Sequence, residues 1–399
     1  MAVDDRRICI LGRGHTMDDL RIGIIGCGNI SSAYLQLAPL FRGLQLIAVA
    51  DIDMAAAQAR AVEFNLRAHT VDDLLATDDI DIIVNLTVPD AHFDISRAAL
   101  QAGKHVYSEK PYVLQLEEAD ALADIAAQNG LRVGSAPDTF LGGSHQQARA
   151  CIDNGDIGTI SGGTCHVMSH GMEHWHPNPD FFFRPGGGPI LDLGPYYITN
   201  LVQLIGPVHA VTAMSGAAFD SRNIGNGPRN GEAIPVLTPT TIHAVLEFAN
   251  GALVTLGASW DVWAHRHRET ELYGGTGSIY VPDPNFFGGD VEIVDSAGTV
   301  TRKDSETHPF GANNITDGGG NPRANYRCAG LADMALAIQQ DRPHRCNAEL
   351  AHHVIEVMTG ILASGETRNW QQMRTSCDRP SPLSADAAAA MLVAQPASR

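Results

Sequence analysis

Short apolar runs and amphipathic segments alternate regularly from residue 21 to residue 137, and this alternation restricts the fold more than any other feature. The run IDIIVNLTV (80–88) shows almost no alternation of apolar and polar positions, which is typical of a strand covered on both faces. Strands that are joined through helices run parallel, because the helix returns the chain to the edge where the first strand began. The sequence therefore predicts an α/β domain over residues 21–140, built on a doubly wound parallel sheet.

The pattern changes after residue 140. Strand-like runs separated by the turn sequences ANG, GGTG and SAG predict a second, α+β domain over residues 141–380 with an open, mostly antiparallel sheet. One helix is expected within GGGPILDLGPYYITNLVQLIGPV (186–208), where Gly188 and Pro189 suit its start and Gly206 its end. Residues 1–20 are interpreted as an N-terminal extension, and residues 381–399 as a tail that is either a frayed helix or disordered.

Charge and cysteine content exclude several classes of protein. The 399 residues carry a formal net charge of −18, which argues against nucleic acid and against an anionic membrane surface as partners. No apolar run reaches the roughly 18 residues of a membrane span. The seven cysteines are scattered without paired spacing, as in a reduced, cytoplasmic protein. No metal site is expected, because His166, His170 and His174 span a predicted junction between a strand and a loop and so lack a helical context.

A glycine turn joins the first strand to the first helix in GIIGCGNIS (23–31). Glycines at 26 and 28 let the backbone approach a pyrophosphate at the helix N-terminus. Asp51 ends the next strand, where a carboxylate accepts hydrogen bonds from both ribose hydroxyls and repels a 2′-phosphate. These features predict NAD as the cofactor. The contacts expected around the turn are Gly26, Gly28, Asn29, Ile30, Asp51 and Ile52.

Further polar residues follow later strands at the carboxyl edge of the predicted sheet, where ligands of open α/β sheets bind. In SEKPYV, Lys110 could be desolvated, hydrogen-bond a substrate hydroxyl and take its proton, but a surface pair with Glu109 explains it equally well. His92 fits a structural role at a helix start better than a catalytic one. The cofactor contacts expected from these strand ends are Thr87, Pro89, His92, Glu109 and Lys110.

The helix expected within 186–208 has a polar face that carries Asp192, Tyr196 and Asn200. A structural interpretation is that Asp192 interacts with the helix dipole while Tyr196 is half-buried. A functional interpretation is that Asp192 and Tyr196 form a proton-handling pair that faces Lys110 across the cleft between the two domains.

The motifs GCGNI, EKP, GGGPILDLG and GTGSI together resemble the Gfo/Idh/MocA oxidoreductases over about residues 20–380. The resemblance implies a Rossmann domain joined to an open antiparallel-sheet domain, with Lys110 and Asp192 as catalytic residues. Many members carry histidine four residues after the aspartate, whereas Tyr196 at this position is similar to the glucose–fructose oxidoreductase branch. The proton acceptor is therefore either Lys110 or Tyr196, with Asp192 orienting them.

The loop before this helix, residues 166–188, offers aromatic faces for sugar rings and polar groups for hydroxyls. The expected substrate contacts are Asp138, His174, Trp175, His176 and Arg184. Together with the family resemblance, they predict NAD-dependent oxidation of a ring hydroxyl in a sugar, glycoside or inositol to a ketone.

Two other functions stay open at this point. An NAD-dependent glycosidase would use the same lysine, aspartate and tyrosine for transient oxidation, elimination and re-reduction of the sugar. A non-catalytic NAD-sensing subunit is disfavoured, because both Lys110 and Asp192 are present. The open sheet of the second domain predicts a homodimer or homotetramer that forms through that sheet.

Overall fold

The computed structural model describes residues 19–393, and its first lobe contains a six-stranded sheet in which every adjacent pair of strands is parallel. The strands lie in the order β3-β2-β1-β4-β5-β6. Their bounds are β1 (Leu20–Ile25), β2 (Leu44–Ala50), β3 (Arg67–His69), β4 (Ile82–Asn85), β5 (His105–Ser108) and β6 (Val133–Ser135). The chain reverses direction across the sheet between β1 and β4, so the carboxyl ends of these two strands form a switch point for ligand binding.

Helices follow most strands of this sheet: α1 (Asn29–Leu37), α2 (Met54–Phe64), α3 (Val71–Ala76), α4 (His92–Gln101) and α5 (Leu116–Asn129). All four residues of β4 are buried, although successive side chains point to opposite faces of the sheet. Both faces of the sheet are therefore covered, which confirms the predicted doubly wound architecture. The three-residue strand β3 was missed, because so short a segment gives no periodic signal.

The second lobe is built on a nine-stranded sheet in the order β16-β15-β14-β13-β7-β12-β11-β8-β19. Its adjacent strands are antiparallel except for β7 and β12, which run parallel, so the prediction of a mostly antiparallel sheet is confirmed. The strands are β7 (Ile160–Met168), β8 (Val208–Gly216), β11 (Thr241–Phe248), β12 (Leu253–Ser259), β13 (Thr270–Gly274), β14 (Gly277–Val281), β15 (Val291–Asp295), β16 (Val300–Lys303) and β19 (Gln371–Gln372). Two small hairpins accompany it: β9 (Ser221–Asn223) with β10 (Ala233–Pro235), and β17 (Ile315–Thr316) with β18 (Pro322–Arg323).

Five α-helices of the described chain follow the six-stranded sheet: α6 (Gly143–Asp153), α7 (Pro189–Ile205), α8 (Ala329–Gln340), α9 (Ala348–Thr367) and α10 (Ala385–Met391). Helix α7 starts after Gly188 and ends at Gly206, as predicted, and it packs against α9 and the inner face of the nine-stranded sheet. Along β11, buried and exposed residues alternate strictly, so the opposite face of this sheet is open to solvent. None of the helices within residues 19–393 combines the length and the apolar character that crossing a membrane requires.

The last helices bring the end of the chain back to the first lobe. Helix α8 packs against β6. After α10, the backbone carbonyl of Met391 accepts a hydrogen bond from the amide of Arg42 at 2.8 Å, and Leu392 pairs with Phe41. Part of the tail predicted over residues 381–399 thus forms a helix, α10, in which Ala388 and Met391 are buried. The predicted N-terminal extension lies outside the described residues except for its last two.

Candidate active site

A cleft of about 520 Å³ lies between the carboxyl edge of the parallel sheet and the N-terminal half of α7. The two lobes meet here because α7 points its first turns at the strand ends of the first lobe. Ten residues that the sequence predicts for the site line this cleft: Asn29, Ile30, Thr87, Pro89, Glu109 and Lys110 from the first lobe, and Trp175, His176, Asp192 and Tyr196 from the second.

The closest polar contact across the cleft joins Lys110 to Asp192. The Lys110 Nζ atom donates to Asp192 Oδ1 at 2.8 Å and to the Asp192 backbone carbonyl at 2.9 Å. Only 18% of each side chain is exposed. Because an ammonium group has three protons, one donor of Lys110 stays available for a ligand.

The charge state of Lys110 follows from this pairing. Burial alone would lower the pKa of its ammonium group, but the charge and hydrogen bond of Asp192, together with Tyr196 and Glu109, outweigh this effect and raise the pKa above its ordinary value. Lys110 is therefore held in its charged form while Asp192 is ionised. The hypothesis that desolvation makes Lys110 titrate near neutral pH does not hold in this arrangement, and Lys110 acts here as a hydrogen-bond donor.

Tyr196 and Tyr197 are consecutive in α7 but point in different directions. Tyr196 lines the cleft, with Lys110 Nζ at 5.4 Å from the centre of its ring, and no described residue hydrogen-bonds its hydroxyl. Tyr197 donates instead to Asp283 Oδ1 at 2.9 Å, away from the cleft. The helical rotation of about 100° per residue thus separates the two phenols, and Tyr196 is the one that a ligand can reach.

Arg327 is a residue of the cleft that the sequence did not indicate. It precedes α8, and its Nη1 atom donates to Glu109 Oε1 at 2.8 Å. The Glu109 carboxylate also accepts from the Tyr34 hydroxyl at 3.0 Å and from the Lys110 amide at 2.9 Å. Both oxygens of Glu109 therefore have partners of their own, and the Lys110 ammonium group pairs with Asp192. No local motif marks Arg327, because only the packing of α8 on β6 brings this distant segment to the strand ends.

The glycine turn fits a dinucleotide. Gly26 has a φ of +105°, and a Cβ atom there would lie 2.5 Å from the Leu86 carbonyl group, so no other residue fits at this switch point. A Cβ atom on Gly28, by contrast, would meet nothing within 4 Å. Gly28 is the N-cap of α1 and has no side chain to satisfy the first amides of the helix. The turn thus leaves open space in front of free helix amides, as pyrophosphate binding requires.

Asp51 lies beside this turn at the end of β2. Its Oδ2 atom accepts from the Cys27 amide at 2.7 Å, and its Oδ1 atom accepts from the Asp53 amide at 2.8 Å. Each carboxylate oxygen has two lone pairs, so both oxygens keep capacity for ribose hydroxyls. The neighbouring Ile52 side chain is 98% exposed, which offers an apolar surface next to the carboxylate.

The structure does not bring His92 or Asp138 to the cleft, which corrects two predicted contacts. His92 is fully buried, and its two ring nitrogens lie 2.7 and 3.0 Å from the carbonyl oxygens of Pro111 and Thr87. Its ring links the turn after β4 to the turn after β5 on the side away from the cleft. Asp138 is also buried and accepts from the Gly330 amide at 3.1 Å. Burial raises the pKa of Asp138 to about 6.

His174 and Arg184 are likewise not among the residues that line the cleft. Both are exposed on the outside of the loop before α7, and Arg184 lies 3.9 Å from Asp180. The direction of side chains along a loop follows no regular period, so the sequence could not distinguish His174 and Arg184 from Trp175 and His176. Within residues 19–393, no group of three or more His, Cys, Asp or Glu side chains is arranged to hold a metal ion.

Two family models match the chain. Residues 20–136 match the oxidoreductase family with an NAD-binding Rossmann fold, and residues 145–280 match the GFO/IDH/MocA C-terminal domain. The two matches lie side by side and correspond to the two lobes described above.

Individual relatives are more distant. An inositol 2-dehydrogenase of Rhizobium meliloti is 28% identical over 42% of this chain and 50% of its own length, and an uncharacterized oxidoreductase of Schizosaccharomyces pombe is 32% identical over 39% and 42%. The chain thus matches about half of the length of these relatives. A levoglucosan dehydrogenase of Pseudarthrobacter phenanthrenivorans is 28% identical over 66% of this chain and 73% of its own length.

Solved structures agree with the fold. A levoglucosan dehydrogenase in complex with NADH and L-sorbose superposes with a TM-score of 0.76 at 20% identity, covering 90% of this chain and 100% of that one. An NAD-binding oxidoreductase from Klebsiella pneumoniae superposes with a TM-score of 0.75 at 22% identity, covering 89% and 98%.

Proposed function

The chain belongs to the Gfo/Idh/MocA family of NAD-binding oxidoreductases, and we propose that it oxidises a ring hydroxyl of a sugar, glycoside or inositol to a ketone. The observation that carries this proposal is the Lys110–Asp192 pair, with Tyr196 beside it, at the mouth of the dinucleotide-binding turn. The inositol and levoglucosan dehydrogenases among the relatives support the substrate class.

The chemistry divides between cofactor and protein. Bound NAD supplies the hydride acceptor, and the residues of the glycine turn together with Asp51 would hold it. The protein must then orient the alcohol and remove its proton. Lys110 is placed to orient the alcohol, because its free donor can hydrogen-bond the oxygen of the reacting hydroxyl. Asp192 fixes the direction of the ammonium group.

We assign the role of proton acceptor to Tyr196. Its hydroxyl has no described protein partner, whereas Lys110 is held in its charged form by Asp192. Lys110 and Arg327 both line the cleft together with Tyr196, so two cations lie near the residue that would take the proton. Asp192 thereby orients Lys110, and Tyr196 would act in its phenolate form, which takes the substrate proton and becomes the neutral phenol.

The direct test is Lys110→Ala. We expect kcat to fall by at least about 100-fold, because the reacting oxygen loses its positioned donor, while NAD binding changes little. A panel of sugars, inositols and aryl glycosides should be assayed for NADH formation and for aglycone release, since release without net NADH would indicate the glycosidase reaction instead. Lys303→Ala, in strand β16, is the matched control. Unchanged turnover in the Lys110 variant would exclude the assigned role.

We also propose that two copies associate through the open face of the nine-stranded sheet. Met214, Val245 and Leu253 lie on this face and are 65%, 36% and 54% exposed. Large apolar side chains grouped on an open sheet favour contact with a second apolar surface, and a copy of the same sheet supplies one by symmetry.

A further inference from the structure

Four aromatic side chains gather at the outer mouth of the cleft, next to the Lys110–Asp192 pair. The ring of His176 contacts those of Trp175, Phe181 and Phe182 edge-on, with centroids 5.4 to 5.5 Å apart. Phe182 is buried beneath the cluster, but Trp175 and Phe181 remain 50% and 51% exposed. Two large rings are therefore held at the entrance of a polar site with half of their surface in water.

The segment that carries these rings is fixed by ion pairs, buried at one end and partly exposed at the other. Arg222 lies almost completely buried between Glu173 and Asp261, donating to Glu173 Oε1 at 2.9 Å and to the Asp261 carboxylate. On the other side of the cluster, Arg229 pairs with Asp180 at 2.5 Å. Both ends of the segment are therefore anchored, while Trp175 and Phe181 stay half-exposed.

His176 adds a polar group to this surface. Its Nδ1 atom accepts a hydrogen bond from the Asn178 amide at 3.1 Å, so in the neutral ring the proton is on Nε2. The ring thus presents an N–H donor among aromatic faces. A ligand that fits this surface has a flat apolar part and an oxygen close to it.

We propose that this mouth is a subsite for the aromatic aglycone of a glycoside, whose sugar ring lies against Lys110, Asp192 and Tyr196. This inference rests on the proposed oxidation of a sugar hydroxyl and specifies its substrate class. A planar aglycone buries the exposed faces of Trp175 and Phe181, and its glycosidic or phenolic oxygen accepts from His176. A free monosaccharide in the same position leaves much of this aromatic surface in water.

The test compares matched ligands on the full-length protein saturated with NADH. Calorimetric titrations should use 4-nitrophenyl and methyl glycosides of the same sugar and anomer, taken across α- and β-glucosides and galactosides. We expect the aryl glycoside to bind at least about tenfold more tightly than its methyl partner, as the burial of two aromatic faces implies. Trp175→Ala and Phe181→Ala should remove most of this preference, Trp175→Phe should keep part of it, and Trp370→Ala, an exposed tryptophan elsewhere, should leave it intact.

The outcomes separate this inference from the function beneath it. Equal binding of aryl and methyl glycosides, or equal loss of both in the Trp175 and Phe181 variants, would overturn the aglycone subsite. NADH formation from NAD is measured separately with the same ligands. An aryl preference without any turnover would contradict the proposed oxidation and retain the aromatic site, whereas turnover without a preference would contradict only the aromatic site.

Discussion

Tyr196 and Tyr197 have the same chemistry and adjacent positions, so the difference between them comes from their surroundings alone. Tyr196 lies in the cleft with the cations Lys110 and Arg327, and the Tyr197 hydroxyl is bound to the partly buried carboxylate of Asp283. Burial raises the pKa of Tyr197 well above its ordinary value, so this phenol stays protonated. The pair provides a controlled comparison within one turn of helix.

We expect Tyr196→Phe to lower kcat by about 10²- to 10⁴-fold with a modest change in substrate KM, since it removes the proposed proton acceptor and keeps the ring. Tyr197→Phe should retain activity and lose about 1 kcal/mol of unfolding free energy, because it deletes a buried hydrogen bond. Steady-state kinetics and chemical denaturation measure the two effects. Comparable kcat values in both variants would contradict the assignment.

Asp138 provides a test based on protonation. Its pKa is about 6 in the fold, chiefly because of burial, and 3.8 is the ordinary value, so the folded protein binds more protons between these limits. Its contribution to stability is therefore favourable at low pH and is lost as the pH rises from about 4 to about 6.

Asp138→Asn should accordingly be more stable than the parent protein at pH 7, by about 1–2 kcal/mol, and indistinguishable from it near pH 4. The amide oxygen can still accept from Gly330. Denaturant titrations at both pH values measure this difference, with the exposed Asp220→Asn as control. A variant that is destabilised to the same degree at both pH values would show that burial of the charge is not the controlling factor.

The turn between β1 and α1 combines two glycines that have different physical requirements. Gly26 is required by the fold, since its backbone is left-handed and a side chain would collide with the Leu86 carbonyl. Gly28 has an ordinary φ of −70° and free space around it, so the fold does not require a glycine there. The space in front of Gly28 is required only by a ligand.

Alanine substitutions should separate these requirements. Gly26→Ala is expected to lose about 2 kcal/mol or more of unfolding free energy. Gly28→Ala should keep the stability of the parent protein within about 0.5 kcal/mol and weaken NAD binding by about tenfold or more, because the methyl group occupies the pyrophosphate position. Denaturation and NAD titration followed by fluorescence distinguish the two. Normal NAD affinity in the Gly28 variant would place the cofactor elsewhere.

The complete molecule depends on contacts between segments far apart in the chain. Helix α8 and the α10 segment from the end of the chain pack on the first lobe, and Arg327 completes the cleft from 218 residues away from Glu109. The later part of the chain therefore covers the first lobe and adds the Arg327 cation to its strand ends. One face of the nine-stranded sheet is open to solvent within the described residues.

Assembly through this face makes a measurable prediction. Light scattering coupled to size-exclusion chromatography should give the mass of a dimer or tetramer for the parent protein. Met214→Glu should shift it toward the monomer, because the charge cannot be buried unpaired. Val62→Glu, at an 84% exposed position on α2, is the control and should have no effect. A monomeric parent protein at micromolar concentration would exclude this interface.

Most elements of the fold follow from the sequence alone, because strand and helix periodicity, glycine turns and helix ends are local properties. The strands of both sheets, the glycine turn and the shared face of Asp192 and Tyr196 on α7 are all of this kind. Short strands such as β3 are not predicted, since they contain too few residues to show a period of hydrophobic positions.

Which charged residues contact each other is determined by the tertiary structure. Lys110 pairs with Asp192 across 82 residues, Arg327 neutralises Glu109, and Asp138 lies beneath the cleft although its strand ends at the same edge. Such contacts depend on how the two lobes pack against each other, and this packing does not produce a periodic pattern in the sequence. Local spacing therefore identified the groups that can carry out the chemistry, and long-range packing selected which of them face the same ligand.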